Sequence, residues 1–368
     1  MKKTKIAYLT KTMPINGIST VIRNYCQNID KNEFDITVIT GLPIDDYYRQ
    51  FYIDNGIKLI VLNGAIKNPV SYYCELFKYL RREKYDIVHI HGNSATICLE
   101  LLMAMLCGQK IRIAHSHNST AVYKTLHYFL YPFFRFLYTE GFACSTMAGK
   151  WMFRNNKFTV IPNGFDIKKF IFNEGARKEI REGLNIVEKF VIANVARFND
   201  QKNHLFLLQV FESIAAKQKD AYLLLVGDGP NLPMIKKKIE NCQYKDRIIY
   251  YGTTDEVEKI YSAADVFLLP SKYEGLGIVF IEAQISGLPV ITSNVVPYEV
   301  NINGLAHFLS LSDPADLWAD EVLKINQIER TLFYERNKES IDKYDIQKDA
   351  RFLETIYRQL YQSRRKNK

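Results

Sequence analysis

Residues 271–289 read SKYEGLGIVFIEAQISGLP, and the reading of this stretch decides the fold. It follows an apolar run at 266–269, VFLL, with the length and composition of a buried parallel strand, closed by Pro270. Gly275 and Gly277 supply a tight turn, and residues 278–286 then keep helical spacing until Gly287 and Pro289 stop it. Strand, glycine turn and helix together aim free backbone N–H groups and the positive helix end at an anion. Glu274 in the loop and Glu282 in the helix bracket that turn, with seven residues between them. A helix end suits a phosphate, and a carboxylate further along suits paired hydroxyls such as those of a ribose. Such units also occur throughout α/β proteins, and glutamates are common on helix surfaces, so the pair by itself fits an ordinary unit as well.

On either side the chain repeats the same alternation. Strands are expected at 5–9, 34–40, 58–62, 86–91, 112–115, 141–144 and 158–161, with helices at 19–29, 69–82, 94–107, 125–140 and 147–154. A second series has strands at 190–196, 222–226, 247–251, 266–269, 289–292 and 306–309. Its helices fall at 204–216, 232–241, 256–263, 278–286 and 314–325. Strands separated by helices imply βαβ units and a parallel, doubly wound sheet, whose ligands bind off the carboxyl ends of the strands. Between the series, 166–188 is polar and charged without a strong strand, which puts the domain junction there. The expected division is 1–168, 169–345 and a final amphipathic helix, 346–368, ending in Arg364, Arg365, Lys366 and Lys368.

At 368 residues, two domains each have room for a sizeable core. A composition 47% hydrophobic and 24% charged is that of a soluble globular protein, and no apolar stretch is long enough to span a bilayer. MKKTKIAYLT has too short an apolar run for a signal peptide. Six cysteines without a CxxC pair read as reduced thiols of a cytoplasmic protein. The net charge of +9 favours acidic partners, namely a nucleotide or anionic lipid, although much of it can be solvated surface. No nucleic-acid-binding motif is recognisable.

Other segments carry chemistry. In 196–203, ARFNDQKN, Arg197 ends the first strand of the second series and Lys202 lies in the loop before a helix. A departing diphosphate needs cations fixed near its oxygens, and rigid strand ends supply them, at about 1.5–3 kcal/mol per charge-assisted hydrogen bond. A surface Arg and Lys in a loop is the plain alternative. The loop 11–20, KTMPINGIST, has Gly17, where backbone can approach a ligand, and Ser19, a candidate helix cap. No GxGxxG is present, which removes the main support for a nicotinamide cofactor. His89/His91 and His115/His117 are His-x-His pairs sharing strand faces, a spacing compatible with zinc. No third ligand is evident, so the expectation is no metal. LHYFLYPFFRFLY at 126–138 suits either a core helix or one resting on a membrane surface.

Pro270, Ser271, Glu274, Gly275, Gly277, Glu282, Ala283, Gly287, Pro289 and Val290 together resemble the signature of the retaining GT-B glycosyltransferases of family four. The likeness covers essentially the whole chain. It implies two Rossmann-like domains facing a cleft, the first binding acceptor and the second nucleotide-sugar, with the C-terminal helix crossing back to the first. It also implies sugar transfer from a nucleotide-sugar, by family habit a UDP-sugar, to a saccharide acceptor, lipid-linked, in capsule or exopolysaccharide biosynthesis, with no metal and no cofactor. Peripheral contact with an anionic membrane belongs to the same expectation.

By that resemblance Arg197 and Lys202 form the R-x4-K element that binds the diphosphate, with the N–H groups of Leu276 and Gly277 at the helix end. Glu274 orients the donor sugar's hydroxyls, Gly275 belongs to the same donor-binding turn, Glu282 grips the ribose, and His117 contacts the sugar near its 6-hydroxyl; His115 and Asn118 are lesser candidates. Gly17 meets the donor phosphate, where Asn16 stands in place of the family's first glycine. Gly227, in GDGP, lies near the nucleotide or serves as a plain turn, and Tyr251 and Gly252 meet the base through backbone groups. PNGFD at 162–166 matches a structural turn at the junction. A non-catalytic GT-B subunit that stabilises a partner enzyme is the rival reading.

Overall fold

The computed structural model describes residues 3–366 except 15, 16, 65–67, 122, 303, 326 and 327. Its contacts divide the chain into two units, 1–165 with 343–368, and 166–342.

In the first unit β1 (Thr4–Thr10), β2 (Phe34–Gly41), β3 (Lys58–Leu62), β4 (Ile87–Gly92), β5 (Ile111–Ser116), β6 (Glu140–Ala143) and β7 (Thr159–Val160) form one sheet in the order β3-β2-β1-β4-β5-β6-β7. Every pairing is parallel. Central strands such as β1 are buried along almost their whole length, which is why they read as continuous apolar runs rather than as alternating ones. The last helix, Ile346–Lys366, belongs to this unit and packs on helix Gly17–Asn28. Arg358 makes a forked contact with Glu33 at 2.8–3.0 Å, and Glu354 accepts from Asp30 N at 2.8 Å.

The second unit has β8 (Phe190–Val195), β9 (Ala221–Val226), β10 (Ile248–Gly252), β11 (Val266–Leu269), β12 (Val290–Ser293) and β13 (Ala306–Leu309), in the order β10-β9-β8-β11-β12-β13. These pairings too are parallel. One face of the sheet is covered by helices His204–Lys217 and Ala315–Leu323, whose Leu207, Phe211, Ile214, Trp318 and Val322 pack with Ile192, Leu223 and Leu268. Both units are doubly wound parallel α/β folds. Chain order reverses between β1 and β4 in the first and between β8 and β11 in the second, and a crevice opens at such a switch point beyond the carboxyl ends of the strands.

The division falls at Phe165/Asp166 rather than after 168, because the turn Ile167–Phe170 packs in the second unit on helices Val257–Ala263 and Ile278–Ile285. The helix starting at 346 is joined in the first unit by residues 343–345, since Phe165 N donates to Tyr344 O at 3.0 Å. Among the described residues no helix is long and apolar enough to cross a membrane.

Candidate functional site

In the second unit the loops after β8 and β11 emerge from adjacent strands at the switch point. The buried Asn194 side chain ties those strands, donating to Leu268 O at 2.7 Å. The first loop carries Arg197, which is exposed, and then a single turn, Asp200–Lys202. Asn199 caps that turn by accepting from Lys202 N, and Asn203 leaves it in the left-handed region at φ 56°. The second loop is clipped to the first where Lys272 N donates to Gln201 O at 2.8 Å.

Lys202 and Glu274 meet directly: Lys202 Nζ lies 2.6 Å from Glu274 Oε1. Ser271 Oγ donates to the same oxygen at 2.7 Å, and Gln201 Nε2 donates to Oε2 at 3.1 Å. Glu274 is buried, so three donors fix a desolvated carboxylate in one orientation. Gln201 was not expected. Its only signal is its place inside R-x4-K, next to the lysine.

Beyond Glu274 the loop turns at Gly275 and Leu276, and Gly277 starts helix Ile278–Ile285. Gly277 has φ +78°, and a Cβ there would stand 2.5 Å from the Phe280 ring, so the entry to the helix demands glycine. The N–H groups at this end have no side-chain cap at Gly277, and no acidic residue sits in the first turn. Leu288 N and Gly287 N close the far end on Ala283 O and Gln284 O.

Glu282, five residues into the helix and partly open to solvent, keeps different company. It accepts from Tyr261 Oη at 2.9 Å. Burial pushes its carboxyl up to about 7, against the opposing pull of the Tyr261 hydroxyl and of Lys169. Tyr261, buried on the neighbouring helix, was not legible as a site residue. Gly227, at φ +131°, packs so close to Ala196 O that a Cβ would come within 2.1 Å, and Gly227 N donates to Gly252 O at 2.8 Å. Gly227 thus holds the backbone beside Arg197. Tyr251 and Gly252 end β10, with Tyr251 exposed and open space around a Cβ on Gly252.

In the first unit His117 follows β5 and is buried. Its Nε2 shares a hydrogen bond with His91 Nδ1 at 2.9 Å, and its ring lies 4.1 Å from that of His115. His89 Nε2 pairs with His115 Nδ1 at 3.0 Å, and its ring stacks on His91 at 4.3 Å. Tyr357 Oη donates to Tyr8 Oη, so it accepts from His89 Nδ1 at 2.6 Å; His89 Nε2 then accepts from His115 Nδ1–H. Burial pushes His117 down to about 3 and the other three well below the ordinary imidazole value, leaving four neutral rings. The sequence reading found no third ligand for a metal. The register that sets His91 opposite His115 provides one, and single nitrogens of His89, His91 and His115 lie within 4.8 Å of one another. Ring-to-ring hydrogen bonds engage nitrogens of all three, and the His89 and His91 planes lie face to face rather than converging on a point.

Gly17 opens the helix rather than preceding it, and the space about it is open. Ser19 lies inside the helix, where its hydroxyl donates to Pro14 O at 2.7 Å. Asn16 of this loop and the terminal Lys368 are outside the described residues. Asn118 turns its side chain back on Ser119 N at 2.8 Å.

Comparison with known proteins finds relatives for both units. The family described as Glycosyl transferases group 1 matches residues 176–340, and the one described as Glycosyltransferase Family 4 matches 15–169. EpsF of Bacillus subtilis, named provisionally as a glycosyltransferase, is 27% identical over 96% of each chain. The Escherichia coli UDP-Gal:alpha-D-GlcNAc-diphosphoundecaprenol alpha-1,3-galactosyltransferase is 30% identical over 80% of each. Among solved structures, Anabaena HepE in complex with UDP and glucose superposes with a TM-score of 0.78 at 15% identity, over 96% of this chain and 99% of that one.

Proposed function

The chain belongs to the family-four glycosyltransferases, with the GT-B fold, and from that premise we propose that it is a retaining, metal-independent transferase that moves a sugar from a UDP-sugar to a lipid-linked saccharide in cell-surface polysaccharide biosynthesis. The observation that carries this reading is the meeting of Lys202 and Glu274, 2.6 Å apart, where two adjacent strands deliver them beside a helix end that Gly277 leaves without a side-chain cap. The donor nucleotide and the lipid-linked acceptor are inferred from the E. coli relative, whose name specifies both. Work at the inner face of the cell membrane, in peripheral contact with it, follows from such an acceptor.

In this reading the acceptor hydroxyl attacks the anomeric carbon on the face from which UDP departs. The bond from that carbon to the diphosphate oxygen breaks, the bond to the acceptor oxygen forms, and the acceptor proton passes to the departing phosphate. Charge grows on the diphosphate as the bond breaks. Arg197, Lys202 and the N–H groups of Leu276 and Gly277 act there, strengthening in the transition state. Glu274, held by Lys202, Ser271 and Gln201, orients the donor hydroxyls; Glu282 takes the ribose, and His117 meets the sugar.

The test is UDP release from UDP-sugars with and without a diphospholipid-linked saccharide, with product anomeric configuration read by NMR and the assay repeated in chelator. Acceptor-dependent release with retained configuration and full activity in chelator is expected. No release from any UDP-sugar would favour the scaffold reading, and inverted product or loss of rate in chelator would overturn the mechanism.

A further inference from the structure

Helix Lys124–Leu137 has two apolar faces. His127, Tyr131, Phe134 and Leu137 are buried. Leu126, Phe129, Phe133 and Phe136 recur at helical spacing on another side and point to solvent, with Phe129, Phe133 and Phe136 70%, 61% and 74% exposed. The neighbouring helix, Cys98–Leu106, packs against this one and adds an exposed stripe of its own, Leu99, Met105 and Leu106. Three phenylalanines on one exposed helical stripe are costly in water, and a continuous apolar surface on a soluble domain marks something that covers it.

The charges around this surface say what that is. Residues 101–165 hold seven Lys and Arg (110, 112, 124, 135, 150, 154 and 157) against one acidic residue, Glu140. Glu100, the carboxylate of helix Cys98–Leu106, is buried and accepts from Tyr73 Oη at 3.1 Å, so it does not face outward. Lys110, Lys124, Arg135 and Arg154 are exposed. The Arg135 guanidinium lies over the Phe136 ring at 5.2 Å, and that of Arg154 over the exposed Tyr128 ring at 5.2 Å and the buried Tyr131 ring at 4.6 Å, so these charges sit on the aromatic surface of the helix. The final helix brings Arg364 to the same end: burial lowers the Arg112 guanidinium and the Arg364 charge adds to that, and Arg112 Nε donates to Leu137 O at 2.6 Å.

We propose that the exposed face of helices Cys98–Leu106 and Lys124–Leu137 is a docking surface for an anionic lipid bilayer. Phe129, Phe133 and Phe136 enter the acyl boundary, while Lys124, Arg135, Arg154 and Arg364 rest on anionic headgroups. A protein partner would have to present a matching apolar and acidic surface; a bilayer of anionic lipid offers both without a fitted shape. The proposal deepens the lipid-linked-acceptor reading by naming the face on which the enzyme would meet its substrate's membrane.

The test is flotation of the full chain, without substrate, on vesicles of phosphatidylcholine alone and of phosphatidylcholine mixed with phosphatidylglycerol. Binding is expected only with the anionic lipid and is expected to fall with salt. The variant Phe129→Ser/Phe133→Ser/Phe136→Ser and, separately, Lys124→Glu/Arg135→Glu should each lower it by about tenfold or more. These side chains are exposed, and an unchanged far-ultraviolet spectrum would show that the variants fold. UDP release with a short soluble acceptor should be unaffected in both variants, which separates loss of docking from loss of transfer. A wild-type chain that ignores anionic vesicles, variants that bind as well as wild type, or a dimer that the triple variant dissociates with no vesicle binding would each overturn the proposal. An inactive chain that still floats would overturn the transferase reading alone.

Discussion

Lys202 Nζ lies 2.6 Å from Glu274 Oε1, with the lysine on the loop after β8 and the glutamate on the loop after β11. The pair links the two segments on which the proposed chemistry depends. Lys202→Ala removes a cation from the departing diphosphate and is expected to lower turnover by about a hundredfold or more. It also takes the Lys202 ammonium from the buried Glu274, at a cost of about 1–3 kcal/mol in urea denaturation. Lys202→Ala/Glu274→Gln should regain stability without regaining turnover. Near-normal UDP release from the single variant would remove Lys202 from the diphosphate site.

Glu282 gives a pH signature. Its carboxyl is pushed up to about 7, above the usual range, chiefly because the protein packed around it strips away water. A carboxylate accepts from two ribose hydroxyls better than the protonated acid does. Affinity for a UDP-sugar, whose diphosphate carries no titrating proton near neutrality, should therefore rise between about pH 6 and 8. Glu282→Gln should weaken binding and flatten that slope. Tyr261→Phe, which removes a hydrogen bond favouring the charged form, should shift the rise to higher pH. Calorimetric titration at several pH values reads all three, and a flat wild-type profile would end the ribose assignment.

Gly227 and Gly252 separate crowding from backbone preference. Both have positive φ, +131° and +89°, but a Cβ on Gly227 meets Ala196 O at 2.1 Å whereas one on Gly252 meets nothing within 4 Å. Gly227→Ala should cost roughly 2–4 kcal/mol and displace the backbone leading to Arg197, lowering turnover as well. Gly252→Ala should cost only the conformational part, about 1–2 kcal/mol. Equal costs in thermal denaturation would show that Ala196 yields.

The sequence made the two sheets legible because parallel strands buried on both faces leave continuous apolar runs, bounded here by glycine and proline, as at Val266–Leu269 and Gly287–Pro289. Helices Asp46–Asp54 and Glu174–Gly183 were not foreseen. Each buries only two side chains, Tyr48 and Tyr52 in one and Ile180 and Arg181 in the other, and both are polar on average, so neither stood out from a loop. In the candidate site Arg197, Lys202, Glu274 and Glu282 were visible through spacing. Their partners Gln201 and Tyr261, and the reach of Tyr357 to His89 across 268 positions, depend on tertiary register that one sequence does not contain. The His91–His115 alignment is of the same kind: each His-x-His pair is local, and only strand pairing joins them.

Asp349 holds the turn where the chain leaves the first unit. Tyr25 Oη donates to Pro162 O at 2.6 Å, Asn24 Nδ2 donates to Gly164 O at 3.1 Å, and Ile346 N donates to Phe165 O at 3.1 Å. Asp349, one turn further along the last helix, faces Gly164 so closely that a Cβ there would stand 2.5 Å from Oδ2. Burial pushes its carboxyl up to about 8, helped by Asp345 and opposed by the Gly164 N–H. A carboxyl raised in the folded state contributes stability that is fully present below its unfolded value and is lost as pH rises through the folded one. For Asp349 that window runs from about pH 4 to 8. Asp349→Asn keeps an acceptor for the Gly164 N–H and cannot ionise. Its melting temperature, relative to wild type, should therefore climb from about pH 5 to 8 and level off above. A difference independent of pH would mean that the wild-type carboxylate is already ionised at neutrality, and that the turn is held by its backbone bonds to Tyr25, Asn24 and Ile346 alone.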